Sequence, residues 1–587
     1  MPKRSLECVA WGAPLLLCLA LYNKGLFSWF VQDDFGSLLL AMRTQTWDEA
    51  LHWLVQPLAQ GVLRPLPDAY FYIVICKLAG LNAWAYRAAV FATQFANLLL
   101  LTAVTRRIAG SPWPALAGTL VWTANVSLVV GMVWTSAFSQ VLCCFFWLAG
   151  LLLFLKHAET GCWAYWWTQC AAFLLGMATL EITVMYPFVL MAYYLLLARG
   201  HVWKTVPLAL VAASWAAVVS WLVPRDGSGP YAMHFDATMV SGLWHYWNVA
   251  LGVFIFARDM PISRSSMLML FLSLTAGLAW AFLRAEHRRR KLAIVGLVWF
   301  LFALAPVLPL RDQRMDYYLT VPTIGLALAV AALLPSVPRR FAALWLGVYV
   351  VCSITFIPAG LDFWYTRSQS ARRLLEGAAQ ARGAHPGSVL LLAGVDNTLF
   401  YSAVYDHGFA AAGLTNIFVV PDGKIAAKQG FRPLDQYQLP ISAATEAVTA
   451  GSAEVYRVSP NGSMRNVTSE YRVAGAAAGA PAWVDLGLPS SASVLGEGWH
   501  GTSGGVRWMN RRGELRLRLR AIYPYRNGEA VRLTVSANGI RLGTARIHDP
   551  ASGEHTFPLP DSFVGVPELK IVIEADHTHR APGDVRD

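Results

Sequence analysis

The chain has 587 residues, of which 56% are hydrophobic and only 14% charged, with a mean hydropathy of +0.44. A soluble protein carries about 25% charged residues, so this composition excludes a wholly water-soluble protein and places most of the chain in a membrane. The net charge is +12, but the basic residues sit in short clusters between apolar runs. That is how a polytopic protein marks its cytoplasmic loops, and no nucleic-acid partner is expected from it.

In chain order, residues 1–27 open with Lys3-Arg4 and an apolar stretch, as a signal peptide does. No small-residue cleavage site follows, and the segment reads as an uncleaved first helix. A span needs about 20 apolar residues. Eleven candidates meet this, at 9–27, 84–105, 113–132, 136–155, 163–180, 183–198, 204–223, 266–283, 292–310, 317–335 and 341–360. Two shorter apolar pieces, near 66–80 and 240–257, read as interfacial or re-entrant helices. With Lys3-Arg4 inside, this count puts Arg106-Arg107, Lys156, Arg199/Lys204, the Arg288–Lys291 run and Arg339-Arg340 all inside. The same parity puts the loop 28–65, the turn at Glu181, the segment RDQRMDYY (311–318) and everything after residue 361 outside. Ionisable groups at a membrane are costly and tend to mark function. Several of them on one face carry more weight than any one alone.

The first of these is FVQDDF (30–35). Asp33 and Asp34 read in two ways: Asp34 caps a short helix starting at Phe35, or the pair does chemistry. Arg64, Arg311 and Arg314 lie on the same face, and the arginine fork suits a phosphate. Arg64 also reads as a headgroup-level anchor stiffened by Pro65 and Pro67, and Arg311 and Arg314 as partners of Asp312 and Asp316. Glu181 reads as a binding group or an exposed turn residue. His234 and His245 lie in an outer loop, 224–264, which covers this face. All eight cysteines fall in the membrane half, and no CxxC or His/Cys cluster suggests zinc.

After residue 361 the chain reads as soluble. SVLLLAGVDN (388–397) and NIFVV (416–420) look like strands of a small α/β region spanning 361–475. GAAAGAPA (475–482) is a spacer. Period-2 alternation in ELRLRLRAI (514–522), AVRLTVSANGIRLGTARI (530–547) and ELKIVIEAD (568–576) predicts a β-sandwich over 483–587, with SANG as a hairpin turn. The fold class expected is an α-helical polytopic membrane domain (1–360) followed by a soluble extracytoplasmic α/β plus β-sandwich tail.

The ordered features resemble the GT-C superfamily of membrane glycosyltransferases, and within it the protein O-mannosyltransferase-like members. The Asp-Asp pair follows the first span. GVLRPLPDAYFYIVICKLAGLNAWAYRAAVFATQFANLLL (61–100) is similar to their Arg-Pro-Leu segment, LGMATLEITVMYPFVLMAYYLL (175–196) to their Ser-Lys-Glu segment, and MDYYLTVPTIGLALAV (315–330) to their Glu-Arg-Tyr-Leu-Tyr-Leu-Pro-Ser segment. The likeness covers roughly residues 1–360, by motif order more than by identity. Leu180 stands where those relatives carry lysine, Tyr317 where they carry arginine, and no tetratricopeptide repeats follow. GWHGTSGGVRWMNRRGELRLRL (498–519) resembles the β-sandwich modules appended to bacterial membrane glycosyltransferases; there Trp499 and Trp508 either stack on sugar rings or fill the core.

The resemblance implies a fold of the GT-C type in a bacterial inner membrane, with the first loop and the tail outside. It implies an inverting transfer of a hexosyl or pentosyl group from a polyprenyl-phosphate-linked donor to a protein, or to a cell-envelope glycan or lipid. One of Asp33 and Asp34 would be the general base, and the other would position the acceptor or a divalent metal (Mg or Mn), for which no further ligands are legible. Arg64, Glu181, Arg311, Arg314 and Asp316 would bind the donor phosphate and substrate. Two other classes remain: a transporter or flippase of lipid-linked sugars, which predicts midplane charges and paired halves, and a non-catalytic scaffold, which predicts tolerance of changes at Asp33, Asp34 and Arg64.

Overall fold

A computed structural model of the chain describes residues 3–57, 63–222, 231–252, 264–420, 436–439, 444, 447–448, 450–470, 503–509, 514–519, 530–547, 553–563, 566 and 568–576. The chain divides into two compact units, Met1–Ser368 and Gln369–Asp587.

The first unit is helical. Among the described residues, seven helices are long and apolar enough to cross a membrane: Ser5–Phe27, Ala83–Ala109, Thr135–Thr160, Gly200–Leu222, Ser265–Arg284, His287–Val307 and Arg339–Ala384. This is an integral membrane protein. The four other segments expected to span form shorter helices: Pro112–Thr123 with Leu128–Val133, Trp163–Met177, Tyr186–Leu197 and Pro322–Leu333. At 113–132 the reason for the shortening is visible. The Asn125 amide donates to the Ala250 carbonyl (2.9 Å) and to Tyr349 Oη (2.7 Å), and accepts from Ser127 N–H (3.0 Å). Tyr22 Oη donates to the Thr123 and Asn125 carbonyls that the break releases. Away from water a helix can break only where such partners replace the lost ladder.

The bundle has two chemically different ends. In the helix Ala83–Ala109, Arg87 lies in the second turn and Arg106 in the last, about 28 Å apart at 1.5 Å per residue. Arg87 is buried and donates through Nε to the Gly25 carbonyl (2.8 Å), at the end of the first span, and also to the Met132 carbonyl in the helix Leu128–Val133. Gly25 has no room for a side chain, since a Cβ there would lie 1.9 Å from the Met132 carbonyl oxygen. At the far end Arg106 pairs with Glu7 and Arg107 with Glu159. Gly110, at φ 72, closes the helix there. Arg289 also sits at that end, donating to the Ala332 carbonyl (3.4 Å).

Three buried tryptophans carry the core and fix the segments of the opposite end. Trp122 and Trp299 donate to the carbonyls of Thr320 and Val321, just after RDQRMDYY (2.9 Å each). Trp147 donates to Thr183 Oγ1 (3.1 Å), two residues after Glu181. A buried indole usually spends its N–H on such a partner, so for these three tryptophans core packing and placement of the polar segments are coupled.

Among the described residues the second unit has ten strands. β1 (Val389–Ala393) pairs in parallel with β2 (Ile417–Val419) and β3 (Ala453–Val458), and β4 (Met464–Asn466) pairs antiparallel with β3, giving the order β2-β1-β3-β4. The two strands expected at 388–397 and 416–420 are β1 and β2. β5 (Ser503–Met509), β10 (Glu568–Ala575), β7 (Val531–Ala537) and β8 (Ile540–Ile547) form a second sheet, and β6 (Glu514–Leu519) pairs with β9 (Gly553–Pro558). Leu515 and Phe557 of the two-stranded sheet share one apolar core with Val535, Leu569 and Ile571 of the other. The β7–β8 turn is Asn538-Gly539 with φ 47 and 81, both left-handed, as a two-residue hairpin requires. The spacer 475–482 lies outside the described residues.

Candidate active site

The Asp-Asp turn splits its two carboxylates. Gln32 holds a left-handed φ of 56, an uncommon conformation that marks a constrained turn. The helix Asp34–Arg43 then starts at Asp34 itself, and neither Asp33 nor Asp34 caps it through its side chain. The expectation that Asp34 caps a helix beginning at Phe35 is therefore corrected: its carboxylate turns back into the protein.

There it is buried and saturated. Oδ1 accepts from Ser136 N–H (2.7 Å), Ser136 Oγ (2.6 Å) and Tyr72 Oη (2.8 Å), and Oδ2 accepts from Val31 N–H (2.9 Å). Burial pushes the Asp34 carboxyl up to about 6, against the hydrogen bonds from Ser136, Val31 and Tyr72 and the charge of Arg87. Asp34 thus ties the first loop to the helices that begin near Phe71 and Phe138. Asp33, one residue earlier, is exposed.

The second feature is an ion pair. Arg64 Nε donates to both oxygens of Glu181 (3.0 and 2.9 Å), and its Nη2 lies 2.8 Å from Oε2, with both side chains about three-quarters buried. Arg64 precedes the π-helical turn Pro65–Tyr70, whose fixed prolines leave no donor at two positions. The Leu66 N–H reaches the Ala178 carbonyl (3.2 Å), so the two motif segments meet through backbone as well. Arg64 and Glu181, expected as separate binding groups, are partners, and Glu181 is not an exposed turn residue.

Asp68 follows Arg64 on that turn, half-buried, and lies within electrostatic reach of Arg64, Glu181 and Asp33. Burial pushes its carboxyl up to about 7; Arg64 opposes this, and the charges of Glu181 and Asp33 add to it. Sequence reasoning passed over Asp68, although it lies inside the Arg-Pro-Leu segment. Tyr231, near Asp33 and Arg64, was missed too, and no local pattern signals it.

The Asp68 shift has a consequence for stability. Its folded pKa lies above the unfolded value of about 3.9, so the folded protein binds the extra proton between these values. The stabilisation is complete below about pH 4 and is lost as pH rises through about 7. Thermal unfolding in detergent at pH 5.5 and pH 8 should show a decline that is smaller in Asp68→Asn.

The segment 311–318 is knitted to the helix Thr238–Ala250. Arg314 Nη2 donates to the Thr238 carbonyl (3.1 Å) and Ser241 Oγ (3.0 Å). Asp316 lies 3.7 Å from His245 and Asp312 3.4 Å from His234. Exposed Arg311 contacts its neighbour Asp312 at 3.2 Å. Arg314 and Asp316, expected at the substrate, are thus engaged with this short helix. Trp499 lies outside the described residues, and Trp508 is on β5 of the second unit. Among the described residues no three His, Cys, Asp or Glu side chains are grouped to hold a metal ion. Asp34 is occupied by four donors and Glu181 by Arg64.

No family model matches the chain, and no curated protein does. Among solved structures it is similar to the arabinofuranosyltransferase AftD from Mycobacteria, at 12% identity and a TM-score of 0.44, covering 98% of this chain and 57% of that one. The chain thus spans less than two thirds of AftD's length. It is also similar to ArnT from Cupriavidus metallidurans bound to undecaprenyl phosphate, at 14% identity and a TM-score of 0.44, covering 77% of this chain and 93% of that one.

Proposed function

We propose that this chain is a membrane glycosyltransferase that moves a sugar from a polyprenyl-phosphate carrier to an acceptor on the extracytoplasmic side, with Asp33 as general base. The observation that carries this reading is the division of labour in the Asp-Asp turn. One carboxylate is consumed in holding the loop, while its neighbour is exposed at the end of the bundle away from the basic clusters, where it shares Asp68 and Tyr231 as neighbours with Arg64.

In the reaction the acceptor hydroxyl gives its proton to Asp33 as its oxygen attacks the anomeric carbon. The bond from that carbon to the phosphate oxygen breaks on the opposite face, which inverts the configuration, and the carrier phosphate leaves with the electron pair. Arg64 receives the growing charge on that phosphate, exchanging one bidentate acceptor, Glu181, for another. Arg311 adds positive charge on the same face. Arg314 and Asp316 act through the helix Thr238–Ala250, holding it over the site. No step is assigned to a metal.

Arg64→Lys tests the fork, because an ammonium cannot make the paired contact. Loss of one charged hydrogen bond costs about 1.5–3 kcal/mol, so kcat/KM for the lipid donor should fall roughly 10- to 100-fold, mostly through kcat, because the contact strengthens as charge grows on the phosphate. Unchanged kcat/KM would remove Arg64 from the donor site. The acceptor class is read by mass spectrometry of envelope glycans and surface proteins from cells with and without this protein. The transferase reading predicts one missing glycosyl species, and identical profiles would count against it.

A further inference from the structure

At the basic end of the bundle an apolar cleft of about 240 Å³ opens between the helices Ser265–Arg284 and Arg339–Ala384 and the end of Pro322–Leu333. Leu274, Leu278, Val330, Leu334 and Val348 line it. From Ser273 to Ala281 it follows two turns of helix, roughly 12 Å. The cleft exists because Gly277 lets the Trp345 indole approach. A Cβ at 277 would lie 2.7 Å from that ring, and Trp345 Nε1 spends its proton on the Leu274 carbonyl (3.2 Å).

The rim is of the opposite character. Two lining aromatics, Trp280 and Phe341, meet edge to face at 5.8 Å. Each carries an arginine over its ring: Arg284 at 5.5 Å from Trp280 and Arg340 at 5.3 Å from Phe341. Arg339 precedes Arg340 and the Arg288–Lys291 run follows Arg284 in sequence, against the single acid Glu286. Stacked guanidinium groups keep their edge N–H donors available, and they bind phosphate through those edges. An apolar slot two helical turns deep, topped by paired cations at the level of a membrane interface, matches an acyl chain below a phosphate.

We propose that this cleft binds an anionic glycerophospholipid, with one acyl chain between the two helices and the headgroup phosphate at Arg284 and Arg340. The charge complementarity of the rim selects this occupant over a neutral lipid. The site lies at the end of the bundle away from Asp33 and does not depend on the transferase reading. Its occupant would brace the helix Ser265–Arg284, which is otherwise largely exposed.

The test is native mass spectrometry of the delipidated full chain titrated with phosphatidylglycerol, phosphatidylcholine or undecaprenyl phosphate. A phosphatidylglycerol adduct should form at roughly tenfold lower concentration than a phosphatidylcholine adduct, and phosphatidylglycerol should raise the melting temperature. The R284Q/R340Q double variant should lose the preference. Ala281→Phe, which fills the cleft and leaves the rim charges, should lose the adduct itself. Equal binding of both phospholipids, retention of the preference in R284Q/R340Q, or capture of undecaprenyl phosphate that is tighter than that of phosphatidylglycerol and is lost in Ala281→Phe would overturn the proposal. Both variants are scored beside the unliganded melting temperature, and a preference lost only together with folding counts against it.

Discussion

Asp33→Asn should abolish sugar transfer, with a loss on the order of 10²- to 10⁴-fold, the usual contribution of a positioned general base. It should do so in a protein that inserts normally and melts with wild type, because the Asp33 side chain is exposed and does not cap the helix after it. Asparagine preserves the shape and removes only the proton acceptor. A scaffold that merely presents its second unit would tolerate the change.

Asp34→Ala should behave in the opposite way. The substitution strands four donors, from Val31, Tyr72 and Ser136 (N–H and Oγ), around a buried void, and leaves the nearby buried Arg87 without its counter-charge. Removing one partner from a buried charged network costs roughly 3–5 kcal/mol, a large share of the ~5–15 kcal/mol that holds a typical protein together. The expected result is poor yield and a sharply lowered melting temperature in detergent, before any question of activity. A stable but inactive Asp34→Ala would instead put Asp34, not Asp33, at the acceptor.

The two aspartates show where the sequence stops informing. Their presence, their position after the first span and the companion segments near Arg64, Glu181 and Asp316 are all legible, because hydropathy and charge are local properties. Their division is not legible, because it is decided by Ser136 and Tyr72, which are 102 and 38 residues away, and by the left-handed Gln32. The same holds for Arg64, whose bidentate bond to Glu181 spans 117 residues. Asp68 escaped because a carboxylate three residues after a helix-starting proline reads as ordinary first-turn chemistry. The helical segments were legible from apolar run length, but four of them are shorter than a membrane requires. A hydropathy window cannot see that Asn125 breaks its helix to meet Ala250 and Tyr349. In the second unit, alternation and the Asn-Gly dipeptide were sufficient for β7 and β8.

The most direct measurement is carrier release by the purified protein, supplied with a panel of polyprenyl-phosphate hexoses and pentoses and with envelope acceptor. Free polyprenyl phosphate should appear with at least one donor in the wild type, with an inverted linkage in the product, and Asp33→Asn should release none above background. Release by Asp33→Asn at the wild-type rate would contradict the assignment of the base.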